Sequence, residues 1–179
     1  MVAKALASGG RVSNTFQARG TLEGELHLSN GGTDVFLDAV TLAGCVLAES
    51  AWERNLVLLF ADGHRIGRGT DGFDLNSLPW TADWPAEKAF LLRVLDLAMT
   101  RRGWELLAYD PPFAMDYLHR YRAMVDGWPA PIAVVTPAAR EDWRVPPPPA
   151  YLAPCPEHGI YQGMLGCRLC DLNIQPPPG

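Results

Sequence analysis

The sequence predicts an α+β fold: an antiparallel β-meander or small barrel covered by two helices, plus a small C-terminal cysteine-rich module. Three observations lead there. Strand-like patterns fill the first seventy residues. Two long helical patterns follow between residues 85 and 125. Three of the four cysteines then crowd into residues 155–170, behind a run of prolines.

Residues 1–13, rich in Ala, Ser and Gly, read as a flexible leader. Leu22-Glu-Gly-Glu-Leu26-His-Leu28 alternates with period two, which predicts a half-buried strand with Leu22, Leu26 and Leu28 inward. Asn30-Gly31-Gly32 reads as a turn. The apolar run Val35 to Leu47, interrupted by Gly44, reads as one bent strand or two short ones. Asn55–Phe60 and His64–Arg68 flank Ala61-Asp62-Gly63 and predict a hairpin with Asp-Gly at its tip.

A loop from Asp71 to Trp84 leads into a helix over Pro85–Arg102, with Asp83 or Trp84 at its cap and Pro85 in its first turn. Its apolar residues leave only a narrow polar strip at Arg93 and Asp96, the pattern of a helix between two layers. Trp104–Tyr109 reads as a strand. Asp110-Pro111-Pro112 then opens an amphipathic helix to Val125. Phe113, Ala114, Tyr117, Leu118, Tyr121, Met124 and Val125 share its inner face. Ile132–Val135 reads as a last strand.

Pro146-Pro-Pro-Pro149 cannot continue a helix and lacks backbone donors, so it predicts a stiff spacer with few contacts across it. The expected organisation is therefore a leader at 1–13, a core at 14–145, a Pro-rich spacer at 146–154, a metal module at 155–172 and a disordered tail at 173–179.

The module holds Cys155, His158, Cys167 and Cys170 at the spacing C-x2-H-x8-C-x2-C. Each x2 turn lets two side chains converge on one point, and the intervening loop brings the pairs together, as a tetrahedral ion requires. Gly159 and Gly166 flank the ligand pairs where a knuckle turn favours positive φ. Ile160–Gln162 and Met164–Leu165 are expected to pair as short strands around Gly163. On these residues the segment resembles the zinc-ribbon and short zinc-finger families, a likeness confined to 155–170. It implies one structural Zn2+ held by Cys155, His158, Cys167 and Cys170. A disulfide within the cluster and a different metal are the competing readings. The Cys-Pro-x-His-Gly string departs from a Rieske site, whose pairs are C-x-H and C-x2-H.

Composition narrows the function classes. With 179 residues, 48% hydrophobic and a net charge of −5, the chain can build a packed core but lacks the clustered cations of a general nucleic-acid binder. Lysine occurs only at Lys4 and Lys88, and the arginine pairs Arg65/Arg68, Arg101/Arg102 and Arg120/Arg122 read as solvated faces. No apolar run approaches the ~20 residues of a membrane span. Clustered cysteines without a recognisable secretion signal point to a reducing, cytoplasmic setting.

No phosphate loop or nucleophile elbow is present. Cys45 reads as a buried inert thiol, and Asp62 with His64 as turn chemistry. Asp116 with His119 reads as a surface pair, and Asp71, Asp74 and Asp83 as solvated carboxylates. Trp80, Trp84 and Trp104 read as core or lid packing. The expectation is a non-enzymatic zinc-binding interaction or adaptor protein with a protein partner. A nucleic-acid-associated factor is the alternative, and an enzyme using the loop carboxylates comes third.

Overall fold

The computed structural model describes residues 14–22, 24–62 and 72–172. The expected leader and tail, the hairpin arm His64–Arg68, and Asp71 lie outside the described residues. Within them the sheet is small. Strand β1 (Thr15–Gln17) pairs antiparallel with β2 (Glu25–His27), and the Phe16–Leu26 pair points into the core. Leu28 is also buried, but Leu22 is fully exposed, so the alternating pattern forms a shorter strand than expected. Neither a meander nor a barrel is present among the described residues.

Helices replace two of the other expected strands. The run Val35–Leu47 belongs to α1 (Asn30–Leu47), where the Ser29 side chain caps by accepting the Gly32 N–H. Asn30-Gly31-Gly32 is thus the first helical turn. Thirteen apolar-rich residues are too many for an ordinary strand, and length should have decided for helix. Asn55–Phe60 lies in α2 (Ala51–Asp62). Here Ser50 and Glu53 form a reciprocal capping box: Glu53 N–H donates to Ser50 Oγ at 3.2 Å, and Ser50 N–H to Glu53 Oε2 at 2.8 Å. Ser50-x-x-Glu53 was a readable start signal.

The two predicted helices are present as α3 (Trp84–Met99) and α4 (Ala114–Gly127). The helix between layers is α1, however. Its residues Gly32–Gly44 are buried almost continuously, with only Asp34 part-exposed, whereas α3 leaves Ala89, Arg93 and Asp96 in solvent. Helix α1 packs on α2, α3 and α4, and α3 packs on α4. At Gly44 an added Cβ would sit 2.7 Å from Val57 Cγ2, so α1 and α2 approach as closely as glycine allows.

Trp104–Leu106 is a single 3-10 turn rather than a strand. Ile132–Val135 forms none either; Ile132 and Val134 are exposed, and Val135 N–H bonds the Trp80 carbonyl at 2.7 Å. What fastens this irregular stretch is aromatic packing. Trp143, Trp52, Trp80, Trp128 and Trp84 form a continuous string with ring centroids 4.9–6.3 Å apart. Trp80 and Trp52 also donate their indole N–H groups to the Leu75 and Pro79 carbonyls. No described helix is long and apolar enough to cross a membrane.

Candidate metal centre

The site is built by two tight turns. Residues 151–155 run antiparallel to 160–163: Cys155 N–H donates to the Ile160 carbonyl, Gln162 N–H to Ala153, and Gly163 N–H to Tyr151. The first knuckle forms the tip of this hairpin, with Gly159 at φ 68° and its N–H bonded to the Cys155 carbonyl. The expected pairing of Ile160–Gln162 with Met164–Leu165 is replaced by this one, which takes up the backbone groups of Ile160 and Gln162. Gly166, at φ 86°, turns the chain into the second knuckle, whose single helical turn (Arg168–Asp171) brings Cys170 back beside Cys167.

These turns place all four donor atoms within 4.8 Å of one another. Cys155 Sγ lies 3.6 Å from Cys170 Sγ. His158 Nδ1 lies 3.7, 3.6 and 3.4 Å from the sulfurs of Cys155, Cys167 and Cys170. A tetrahedral ion with M–S near 2.3 Å and M–N near 2.0 Å sets its donors about 3.8 Å (S to S) and about 3.5 Å (S to N) apart. The spacing fits. All four cysteines are free thiols, so no disulfide competes for the sulfurs.

Electrostatics favour a cation. Burial would raise the Cys155 thiol, but hydrogen bonds from the His158 backbone and ring bring it down to about 7. Burial and the neighbouring Cys155 push Cys167 up, and burial with both other thiols takes Cys170 up to about 12. Thiols crowded this closely cannot all ionise together unless a metal ion neutralises them. The four residues are therefore close enough, and of the right donor type, to bind a metal ion.

The module does not stand apart from the core, contrary to the expectation of few contacts across the prolines. Cys155, Ile160, Cys167 and Leu169 join the same apolar cluster as the helices. Arg168, between two of the ligands, is fully buried. Its Nε donates to Asp38 Oδ1, and its Nη2 to the Asp34 carbonyl and carboxylate at 3.0 and 3.1 Å. The other Asp38 oxygen accepts the Tyr109 hydroxyl at 2.8 Å. Burial pushes the Asp38 carboxyl up and Arg168 opposes it, leaving a net upward shift. Burial and the adjacent Asp38 likewise hold the Tyr109 hydroxyl well above its usual range, so it stays a donor. Asp62 accepts the Met164 N–H at 2.8 Å, and Cys45 Sγ the Tyr161 N–H at 3.4 Å.

Sequence reading missed Asp38, Arg168 and Asp62. A lone carboxylate inside the apolar run Val35–Leu47 was the available signal, since a buried charge needs a partner. Cys45 is part-buried rather than buried, its thiol raised by burial to about 12, and it sits on a helix rather than a strand. Asp62, expected at a hairpin tip, is the last residue of α2. Asp74 caps a 3-10 turn and pairs with Arg19 at 3.0 Å, and Asp83 begins α3. Asp116 and His119 are exposed on α4. Trp80 is buried, Trp104 nearly so, and Trp84 half-buried. Comparisons with protein families, curated proteins and solved structures found no match for the chain.

Proposed function

We propose that the chain is a zinc protein in which one structural Zn2+, held by Cys155, His158, Cys167 and Cys170, shapes the C-terminal segment, and that it serves as a non-enzymatic interaction or adaptor protein. The observation that carries this reading is the convergence of three sulfurs and one imidazole nitrogen within 4.8 Å of one another. Thiolate with imidazole is a zinc-type donor set. The four protein donors complete a tetrahedral shell, which leaves no position for a reactive water. Three reduced thiols at the site suit a reducing compartment such as the cytoplasm.

Elemental analysis of protein purified under reducing conditions without chelator tests it. About one zinc per chain is expected. Cys167→Ser should abolish the metal and Cys45→Ser should leave it unchanged. Metal-free protein that also fails to take up added zinc would overturn the reading. The adaptor role predicts that a protein partner captured by the full chain is lost with Cys167→Ser; capture that ignores the metal would place the docking face elsewhere.

A further inference from the structure

The metal module lies along the α1–α2 hairpin. Tyr161 meets Cys45 near the end where the two helices join. Met164 meets Asp62, and Arg168 meets Asp38 and Asp34, toward the other end. From Cys45 to Asp34 is eleven residues of helix, or about 16 Å. So the module covers most of one hairpin face, while α3 and α4 cover another.

The two covers differ in kind. Helices α3 and α4 meet α1 with Phe90, Leu91, Val94, Leu118, Tyr121 and their neighbours, all fully buried. The module grips chiefly through one buried arginine and two backbone N–H groups, with Ile160 and Leu169 as its main aliphatic contribution. A buried ion pair holds a structure together only while its geometry is enforced. Here Cys167 and Cys170 flank Arg168, on a helical turn of four residues that cannot persist unaided.

We infer that residues 155–171 form a metal-operated latch: closed on the α1–α2 hairpin when the ion is bound, open when it is removed, with α1–α4 folded in both states. Opening hydrates Arg168 and exposes a hairpin face bearing Asp34, Asp38 and Asp62. This rests on the zinc reading above and adds a conformational consequence to it.

Cys45 is the built-in reporter, because it is not a ligand and its part-buried sulfur accepts the Tyr161 N–H of the closed module. The full-length protein, zinc-loaded or stripped with a chelator, is pulsed with N-ethylmaleimide, and Cys45 labelling is followed by peptide mass spectrometry. Tryptophan emission of the same samples reports the core. Removal of zinc should speed Cys45 labelling by about tenfold or more, as for other local openings, and leave the emission unchanged. Arg168→Gln keeps all four ligands and should speed labelling of the zinc-loaded protein. Unchanged labelling in protein shown to bind zinc overturns the latch alone. Labelling that rises only together with a shift in tryptophan emission also overturns it, since the core then unfolds with the module. Protein that takes up no zinc overturns the underlying reading as well.

Discussion

The helical core and the C-terminal module solve the same problem by different means. The core of α1–α4 spends its apolar surface on itself: α1 is buried along most of its length, and five tryptophans fasten the irregular stretches to it. Burying a large apolar side chain contributes roughly 1.5–3 kcal/mol, and the core buries many of them. The module has no comparable interior. Between Cys155 and Cys170 its only wholly or nearly buried aliphatic side chains are Ile160 and Leu169. Four metal-type donors converging on one point, and one arginine reaching into the core, stand in place of that interior. The difference teaches that the module is held by a few donor and polar contacts, whereas the core is held by apolar burial.

The sharpest way to break the comparison is at the arginine. Asp38→Ala removes the buried carboxylate and leaves Arg168 with only the part-exposed Asp34, and breaking a buried pair in this way typically costs ~3–5 kcal/mol. Zinc-loaded Asp38→Ala should therefore lose hydrogen-exchange protection across residues 155–171 while α3 and α4 keep theirs. Retained protection in the module would mean that the apolar contacts, not the ion pair, hold it down. In the core, Leu95 is fully buried in α3, and Leu95→Ala should cost ~2–5 kcal/mol in chemical denaturation. Its neighbour Asp96 pairs with Arg122 on the surface, so Asp96→Ala should cost within ~0.5 kcal/mol. Equal losses would show that α3 has no buried face of its own.

A smaller effect is expected at Gly163, which adopts φ 66° with the Asp62 carboxylate 2.5 Å from where a Cβ would stand. Gly163→Ala carries the left-handed penalty of ~1–2 kcal/mol, plus displacement of Asp62. It should weaken module docking, read as faster Cys45 labelling, without removing any metal ligand. Labelling at the wild-type rate would show that the Asp62 contact is incidental.

The last expectation concerns pH. Glu87 accepts the Thr81 N–H and hydroxyl at 2.9 and 2.6 Å, and burial raises its carboxyl above the ordinary 4.5. A folded value above the unfolded one means that the folded state holds the proton more tightly. The associated stability is thus present below the unfolded value and lost as pH rises through the folded one. The melting-temperature difference between wild type and Glu87→Gln, followed from about pH 4 to about pH 7, should shift in favour of the variant. A shift the other way would mean that the Thr81 hydrogen bonds outweigh burial and hold the carboxylate charged.

By itself the sequence determined whatever depends on neighbours close along the chain. The ligand spacing named Cys155, His158, Cys167 and Cys170, because two x2 turns converge whatever surrounds them. The positive-φ glycines at 159 and 166 follow from the same local geometry. Helices α3 and α4 were legible from their 3.6-residue period, and the Phe16–Leu26 face of the sheet lay partly within the alternation at Leu26 and Leu28. What only the tertiary structure decided was what encloses the nearly continuous apolar segments. Val35–Leu47 and Asn55–Phe60 carry no polar stripe from which to read a period, because α1 is enclosed by other elements and α2 is buried for most of its length. Docking of the module was hidden for a related reason. The buried pair of Arg168 with Asp38 joins residues 130 positions apart, and no local pattern of propensity or spacing records a contact of that range.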